Sequence, residues 1–160
     1  MQISSKKAFT VIELIFVIVV IGILAAIAVP KFAATRDDAT ITKAIATIGS
    51  VRSALATERQ KRILRGEFTP ITSLNSDGGD NVFSKFSVDS DGNTSNVLEY
   101  SVINCSGLGK SKGCWSVSGS DPSQTYKYTM PTSGSVDFNI TKNRFNCKTP
   151  SSANCRLLTQ

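Results

Sequence analysis

Histidine is absent from the 160-residue chain, and this absence excludes whole classes of chemistry. Without an imidazole there is no Ser-His-Asp or Cys-His machinery and no histidine-ligated metal centre. The sequence also contains no nucleotide-binding motif. Only 19% of the residues are charged, and small polar residues are abundant, which suggests a domain that works outside the cytosol. We therefore expect a protein that is not an enzyme and needs no cofactor.

A single apolar run near the start contains much of the hydrophobic content. Residues 9–29 read FTVIELIFVIVVIGILAAIAV, in which only Thr10 and Glu13 are polar. As a helix this run extends about 31 Å, which matches the hydrocarbon thickness of a bilayer. It therefore predicts a transmembrane helix over 9–29. The alternative is an ordinary secretory signal peptide, but its apolar core is usually no longer than about 15 residues, and this run also contains a carboxylate.

Glu13 is the informative residue of the run. A charged side chain costs roughly 2.5–3.5 kcal/mol at the centre of a spanning helix and less near its end. Glu13 either reaches the headgroups or meets a cation, and the run itself contains no Lys or Arg. A free amino terminus at Phe9, created by cleavage after Ala8, would supply that cation, within one helix or between adjacent copies of the chain.

The stretch KAFTVIEL, followed by a hydrophobic helix that ends in AVPKF, resembles the type IV pilins and the pseudopilins of type II secretion systems. The resemblance implies that a prepilin peptidase cuts between Ala8 and Phe9, where the family usually has glycine before the cut. It also implies that Phe9 is N-methylated and that Glu13 is the assembly carboxylate. Gly22 and Pro30 would bound a segment that can unwind in the filament, although both residue types are also common in membrane helices.

The resemblance implies partners as well. These are other pilin-like subunits in a homo- or hetero-oligomeric filament, the prepilin peptidase, an assembly ATPase and a platform membrane protein. The leading hypothesis is a structural subunit, pseudopilin or pilin, of a filament assembled from the bacterial inner membrane. Secretion, DNA uptake and a surface pilus remain open as its purpose.

Residues 30–66 continue as an amphipathic helix. An apolar stripe at helical spacing predicts it, and Gly66 with Pro70 predicts its end. Basic residues cluster in its last turns, where they either stabilise the helix end or contact DNA, as in a competence pilin. The apolar stripe consists of Ile41, Ile45, Ile48, Val51 and Leu55. The basic cluster consists of Arg59, Lys61, Arg62 and Arg65.

The remaining residues, 67–160, predict a β-rich globular part. Strand-like runs lie at 97–103, 114–118, 125–130 and 135–141, and turn-rich spacers separate them. The economical architecture is an antiparallel sheet whose apolar face covers the helix stripe. We therefore predict an α+β, pilin-like fold: a leader at 1–8, a membrane helix, its amphipathic continuation and a small sheet.

Four cysteines lie in this globular part, and they orient the chain. An even number beyond a membrane segment predicts disulfides in an oxidising compartment, with Cys105–Cys114 and Cys147–Cys155 as the pairs nearest in sequence. A zinc site is the weaker alternative. Disulfides place the globular part in the periplasm and the N-terminus in the cytoplasm.

A second metal hypothesis concerns residues 89–93, which read DSDGN. Asp89, Asp91 and Asn93 offer alternate oxygen ligands, as a calcium loop does. The fragment lacks the later glutamate of an EF-hand loop, and ordinary turn chemistry, which explains the same residues, is the favoured interpretation.

Overall fold

The computed structural model describes residues 9–159, without the side chains of Pro30, Ala33 and Ala34. It contains the long helix α1 (Val11–Leu64), six strands and the short helix α2 (Ala153–Thr159). The contacts divide the chain into two units, one that ends at Arg36 and one that begins at Asp37. The α+β class predicted from the sequence is confirmed. We call residues 9–36 the N-terminal segment and residues 37–159 the head.

Helix α1 ends where the glycine signal predicts. Gly66 adopts a φ of 81°, a conformation that costs glycine little. The backbone N–H of Gly66 donates to the carbonyl of Ile63, and that of Glu67 donates to the carbonyl of Arg62. This pair of bonds is a Schellman motif, which satisfies carbonyls that the helix leaves without partners.

The head contains two antiparallel sheets. In the small one, β1 (Asn81–Val82) pairs with β2 (Val102–Ile103). The larger sheet has the order β3-β4-β5-β6, so β3 and β6 are its edges. Its strands are β3 (Cys114–Ser118), β4 (Thr125–Thr129), β5 (Ser135–Thr141) and β6 (Arg144–Cys147).

The core forms where the helix stripe meets the inner face of the larger sheet. Ile48, Val51 and Leu55 of α1 are at most 2% exposed. Seven aromatic ring contacts join the side chains that cover them, such as the stacked pair Phe138 and Phe145 with centroids 4.9 Å apart. Those aromatic residues are Phe83, Trp115, Tyr126, Tyr128, Phe138 and Phe145. The prediction that a sheet covers the stripe is therefore correct.

The predicted strand over 97–103 is wrong except for its last two residues. Only residues 102–103 pair as a strand, β2, because the first part of the run makes isolated contacts and no strand pairing. Val97 is buried, and its N–H donates to the carbonyl of Ser84, whereas Tyr100 is 83% exposed. The segment is thus fixed by one buried side chain and isolated backbone bonds. Strands β1 and β6 and helix α2 were not predicted.

Candidate functional site

The N-terminus of α1 holds the residues that the sequence assigns to assembly. The hydroxyl of Thr10 accepts the backbone N–H of Glu13 at 3.3 Å, and the carbonyl of Thr10 accepts that of Leu14 at 3.2 Å. Thr10 is therefore the N-cap of the helix. Glu13 lies in the first turn, where the helix dipole favours a negative charge. The cap was missed from the sequence, although the T-x-x-E pattern before an apolar run is its known signal.

The surface that follows Glu13 is apolar and open. The helical stretch Val11–Val29 is long and apolar enough to cross a membrane, and none of it is buried within the chain. From Phe9 to Phe32, the large hydrophobic side chains are between 38% and 81% exposed. A contiguous apolar surface of this extent requires lipid or another protein to cover it.

Two further residues assigned to assembly lie within this helix. Gly22 is exposed, and a Cβ built on it meets no atom within 4 Å, so the packing of the described residues does not require a glycine there. The helical backbone continues through Pro30. Ala8, the residue before the predicted cleavage point, lies outside the described residues.

The predicted basic cluster at the end of α1 is mostly committed to contacts inside the head. Arg62 is fully buried; its Nε donates to Glu58 Oε1 at 3.0 Å and its Nη2 to the carbonyl of Ser87 at 2.5 Å. Arg59 donates to the carbonyl of Thr69, and Arg65 pairs with Asp89 at 3.1 Å. Of the four cations, only Lys61 is largely free, with a weak 3.8 Å approach to Glu58. Three of the four cations are therefore engaged at the junction between helix and loop, in line with the interpretation that the cluster stabilises the helix end.

Electrostatics at this junction follow from those contacts. Burial by itself would raise the pKa of Glu58, but hydrogen bonds from Arg62 and Ser95 and the nearby cations bring its pKa below the ordinary value. Hydrogen bonds from Thr69 lower the pKa of Glu67 in the same way. The three carboxylates Glu58, Glu67 and Asp89 thus hold the loop after α1 in their ionised forms.

The candidate calcium residues share one turn, but Asp89 is already engaged. Its Oδ1 accepts the backbone N–H groups of Asp91 and Asn93, and its Oδ2 accepts a bond from Arg65. The Asn93 N–H in particular lowers the pKa of Asp89. Among the described residues, no group of three or more His, Cys, Asp or Glu side chains is placed to hold a metal ion. The geometry is that of an Asx turn, and calcium binding stays a prediction without structural support.

All four cysteines form disulfides in the pairing expected from their spacing. Cys105 joins Cys114, with Cα atoms 5.2 Å apart, and Cys147 joins Cys155, with Cα atoms 6.3 Å apart. The second bond fastens α2 to strand β6, and so ties the end of the chain to the sheet. Each closes a short loop, which restricts the unfolded chain.

Comparison with known proteins points to the same N-terminal region. Residues 3–29 match the family described as the prokaryotic N-terminal methylation motif. Over 50 residues, 31% of this chain and 43% of the relative, the sequence is 56% identical to the type IV narrow pilus major component PilA5 of Thermus thermophilus. It is 39% identical over 64 residues to a fimbrial protein of Pseudomonas aeruginosa, covering 40% of this chain and 39% of that protein.

A further relative is the type IV major fimbrial protein FimA of Dichelobacter nodosus, 39% identical over 54 residues, which are 34% of this chain and 35% of FimA. The chain thus spans about two fifths of the length of the curated relatives it matches. No solved structure gives a significant match.

Proposed function

We propose that this chain, which belongs to the type IV pilin family, is a structural subunit of a filament assembled from the bacterial inner membrane. The observation that carries the proposal is the placement of Glu13. It is the one carboxylate of the exposed apolar helix, and it lies in the first turn, four residues beyond Phe9.

Before assembly the subunit is held in the membrane by residues 9–29. The leader at 1–8 is removed between Ala8 and Phe9 by a prepilin peptidase, and the new amine is methylated. The N-terminus faces the cytoplasm and the head the periplasm, where its two disulfides are stable. Residues 30–66 carry the helix from the membrane into the head.

Assembly replaces lipid around the apolar helix with the helices of other copies. In that dry environment Glu13 of one copy pairs with the Phe9 amine of a neighbour, and the pair sets the axial stagger between them. A misplaced subunit leaves the carboxylate unpaired in a low-dielectric medium, which is strongly unfavourable. An assembly ATPase and a platform membrane protein supply the work, since the chain contains no nucleotide-binding motif.

A pilus is the form of filament that we favour. The relatives are named as pilus or fimbrial components, and none of those named above is a secretion subunit. A type II secretion pseudopilin is the alternative. DNA uptake through the cluster at the end of α1 is not favoured, because Arg59, Arg62 and Arg65 bind within the head.

The mass and N-terminal sequence of the mature protein test the processing step. We expect a chain that begins at N-methylated Phe9. A start close to Val29 would indicate an ordinary signal peptide and would refute the proposal.

Substitution tests the carboxylate. Glu13→Gln removes the charge at nearly constant size, so the chain should still insert into the membrane. The yield of sheared filaments should fall roughly 100-fold, the equivalent of about 2.5–3.5 kcal/mol, because the variant lacks the carboxylate that pairs with the Phe9 amine. Asp121→Asn, at an exposed carboxylate of the head, is the matched control and should assemble normally. Normal filaments from Glu13→Gln would contradict the proposal.

A further inference from the structure

The disulfide Cys105–Cys114 closes a loop whose charges are all of one sign. Residues 100–120 contain two lysines, Lys110 and Lys112, and no acidic residue. Residues 106–112 are all exposed, and no ion pair of the described residues involves either lysine. Lys112 only donates to the carbonyl of Thr132, at 3.3 Å. The positive charge of this loop, which we call the 105–114 loop, is therefore not neutralised by the described part of the chain.

The 105–114 loop also exposes aliphatic side chains beside its lysines. Leu108 is 40% exposed and the neighbouring Ile103 is 49% exposed. A Cβ built on Gly107 would lie 2.9 Å from Cγ2 of Ile103, so the Ile103 side chain lies against the loop. Aliphatic groups next to lysines are typical of surfaces that contact a bilayer, where the apolar groups enter the headgroup boundary and the ammonium groups meet anionic lipid.

Local hydrogen bonds fix the shape of the 105–114 loop. The backbone N–H of Leu108 donates to the carbonyl of Asn104, and that of Lys110 donates to the carbonyl of Cys105, each at 3.0 Å. The disulfide joins the two ends of the loop. Because the backbone is already held in place, the loop can present its lysines without first becoming ordered, which lowers the entropic cost of binding.

The 105–114 loop packs at the end of the head where the chain enters it. A Cβ built on Gly113, at the base of the loop, would lie 2.7 Å from Cγ2 of Thr40. The hydroxyl of Tyr128 donates to the carbonyl of Thr40 at 3.2 Å and so holds strand β4 against the same turn of α1. Thr40 belongs to the first helical turn of the head, and the exposed Lys43 follows it. The loop thus lies beside the first turn of the head and not beside the end of α1.

The sequence connects this end of the head directly to the apolar helix. Thr40 follows Val29, the last residue of the stretch that is long and apolar enough to cross a membrane, by eleven residues. Between the two lie two basic and two acidic residues, so the connection itself adds no net charge. A loop tethered to a bilayer in this way needs little intrinsic affinity for it, because the tether makes the contact intramolecular.

We propose that the 105–114 loop contacts the anionic phospholipid headgroups of the bilayer that holds residues 9–29. The inference rests on the proposed function, since that function places residues 9–29 in a membrane. Lys110 and Lys112 pair with the headgroup phosphates, and Leu108 enters the boundary with the acyl chains. An anionic bilayer surface attracts such cations, and the attraction falls off within a Debye length. The contact seats the head on the bilayer before assembly and is released when the subunit enters the filament.

A tryptophan placed in the loop tests the contact. Leu108→Trp is made in the full chain and reconstituted into vesicles of equal parts phosphatidylcholine and phosphatidylglycerol, whose acyl chains are brominated close to the headgroup. Bromine quenches the emission of an indole that touches it, and the wild type, whose Trp115 is 3% exposed, gives the background. At low salt the added emission should be quenched roughly twofold more than in pure brominated phosphatidylcholine, and high salt should remove the difference.

Matched variants assign the effect to the two lysines. K110E/K112E, added to Leu108→Trp, should remove the dependence on phosphatidylglycerol. K142E/R144E changes the net charge equally at the start of strand β6 and should retain it. Phe68→Trp, which follows the far end of α1 and is 68% exposed in the wild type, should show no such dependence. Thermal unfolding of these variants should stay close to that of the wild type, because every substituted side chain is exposed.

The inference is wrong if Leu108→Trp is quenched no more with phosphatidylglycerol than without it, or if K110E/K112E remains as sensitive as its parent. A loop that binds a DNA duplex but not anionic vesicles would equally overturn it. Flotation of the vesicles separates this failure from failure of the proposed function. A chain that floats with the vesicles while its loop stays unquenched refutes the headgroup contact alone. A chain that does not float refutes the membrane-held subunit, and with it the proposed function.

Discussion

The N-terminal segment and the head contain the same types of aliphatic residue, but these are exposed in the first region and buried in the second. Val17 and Ile21 in the N-terminal segment are 43% and 58% exposed, whereas Ile48 and Val51 of the same helix are at most 2% exposed. The head supplies its own cover in the form of a sheet, whereas none of the described residues covers the apolar helix of the N-terminal segment. The difference indicates that the head buries its apolar side chains internally, whereas the apolar surface of the N-terminal segment has to be covered by its surroundings.

Two carboxylates of α1 repeat this contrast. Glu58 is buried and finds Arg62 one turn later, at 3.0 Å. Glu13 lies at the start of an apolar surface that contains no basic residue up to Lys31. A buried carboxylate needs a partner in either setting. The head provides it internally, and we propose that the N-terminal segment obtains it from another copy.

The largest effect on the head alone should come from Arg62→Ala. The substitution leaves the buried Glu58 without its main partner, and breaking a buried ion pair typically costs about 3–5 kcal/mol. We expect a large fall in the free energy of unfolding of the head, measured by denaturant titration. Lys61→Ala, one residue away and 56% exposed, is the control and should change little. An equal loss from both would contradict the role assigned to Arg62.

A smaller effect should follow from removal of the disulfide between β6 and α2. In the double variant Cys147→Ser/Cys155→Ser the unfolded chain regains the freedom of a short loop, worth roughly 2–3 kcal/mol. Proteolysis should then cut near α2 before it cuts the sheet, because that bond joins the two. Unchanged protease resistance would show that packing of Leu158 alone holds α2.

Acid should also lower the stability of the head, and this loss should be more gradual. Glu58, Glu67 and Asp89 have pKa values below their ordinary values of 4.5, 4.5 and 3.8. Their folded forms therefore bind protons less readily than the unfolded chain does. Their contribution to the free energy of unfolding of the head is complete above the ordinary pKa values. It disappears as the pH falls through the lower pKa values of the folded state.

The measurement is the thermal midpoint of the head from pH 7 down to pH 2. We expect it to fall mainly below about pH 4. Glu58→Gln should make that dependence shallower. A midpoint that fell equally in the variant would assign the effect to other groups.

The smallest effect concerns the N-terminal segment alone. Gly22→Ala fits without any clash, and it should raise helix stability there by about 1 kcal/mol. The unfolding of the head should not change. If the proposed unwinding between Gly22 and Pro30 operates, filaments of this variant should extend less under force. Equal extension would leave Gly22 without a mechanical role.

The sequence predicted the parts of the fold that regular patterns encode. The stripe through Ile48 and Val51 predicts α1, and the alternation of Tyr126, Tyr128 and Met130 predicts β4. Strand β6 was missed because it has four residues and begins in a Lys142-Asn143 turn at positive φ, which lacks the usual glycine. Helix α2, with seven residues, is too short for a periodic pattern.

The candidate site was predictable to a different degree. Glu13 stands out in the sequence because a charge within an apolar run is rare. The role of Arg62 was not visible, since one of its acceptors is the carbonyl of Ser87, 25 residues away.

Trp115 gives the contrast between the two regions a practical consequence. It is the single tryptophan of the chain, it is 3% exposed, and its ring contacts those of Phe83, Tyr128 and Phe138. The three tyrosines also lie in the head, so the N-terminal segment contributes no fluorophore that absorbs near 280 nm. The intrinsic fluorescence of the intact subunit, in detergent, bilayer or fibre, therefore reports on the conformation of the head and contains no signal from the N-terminal segment.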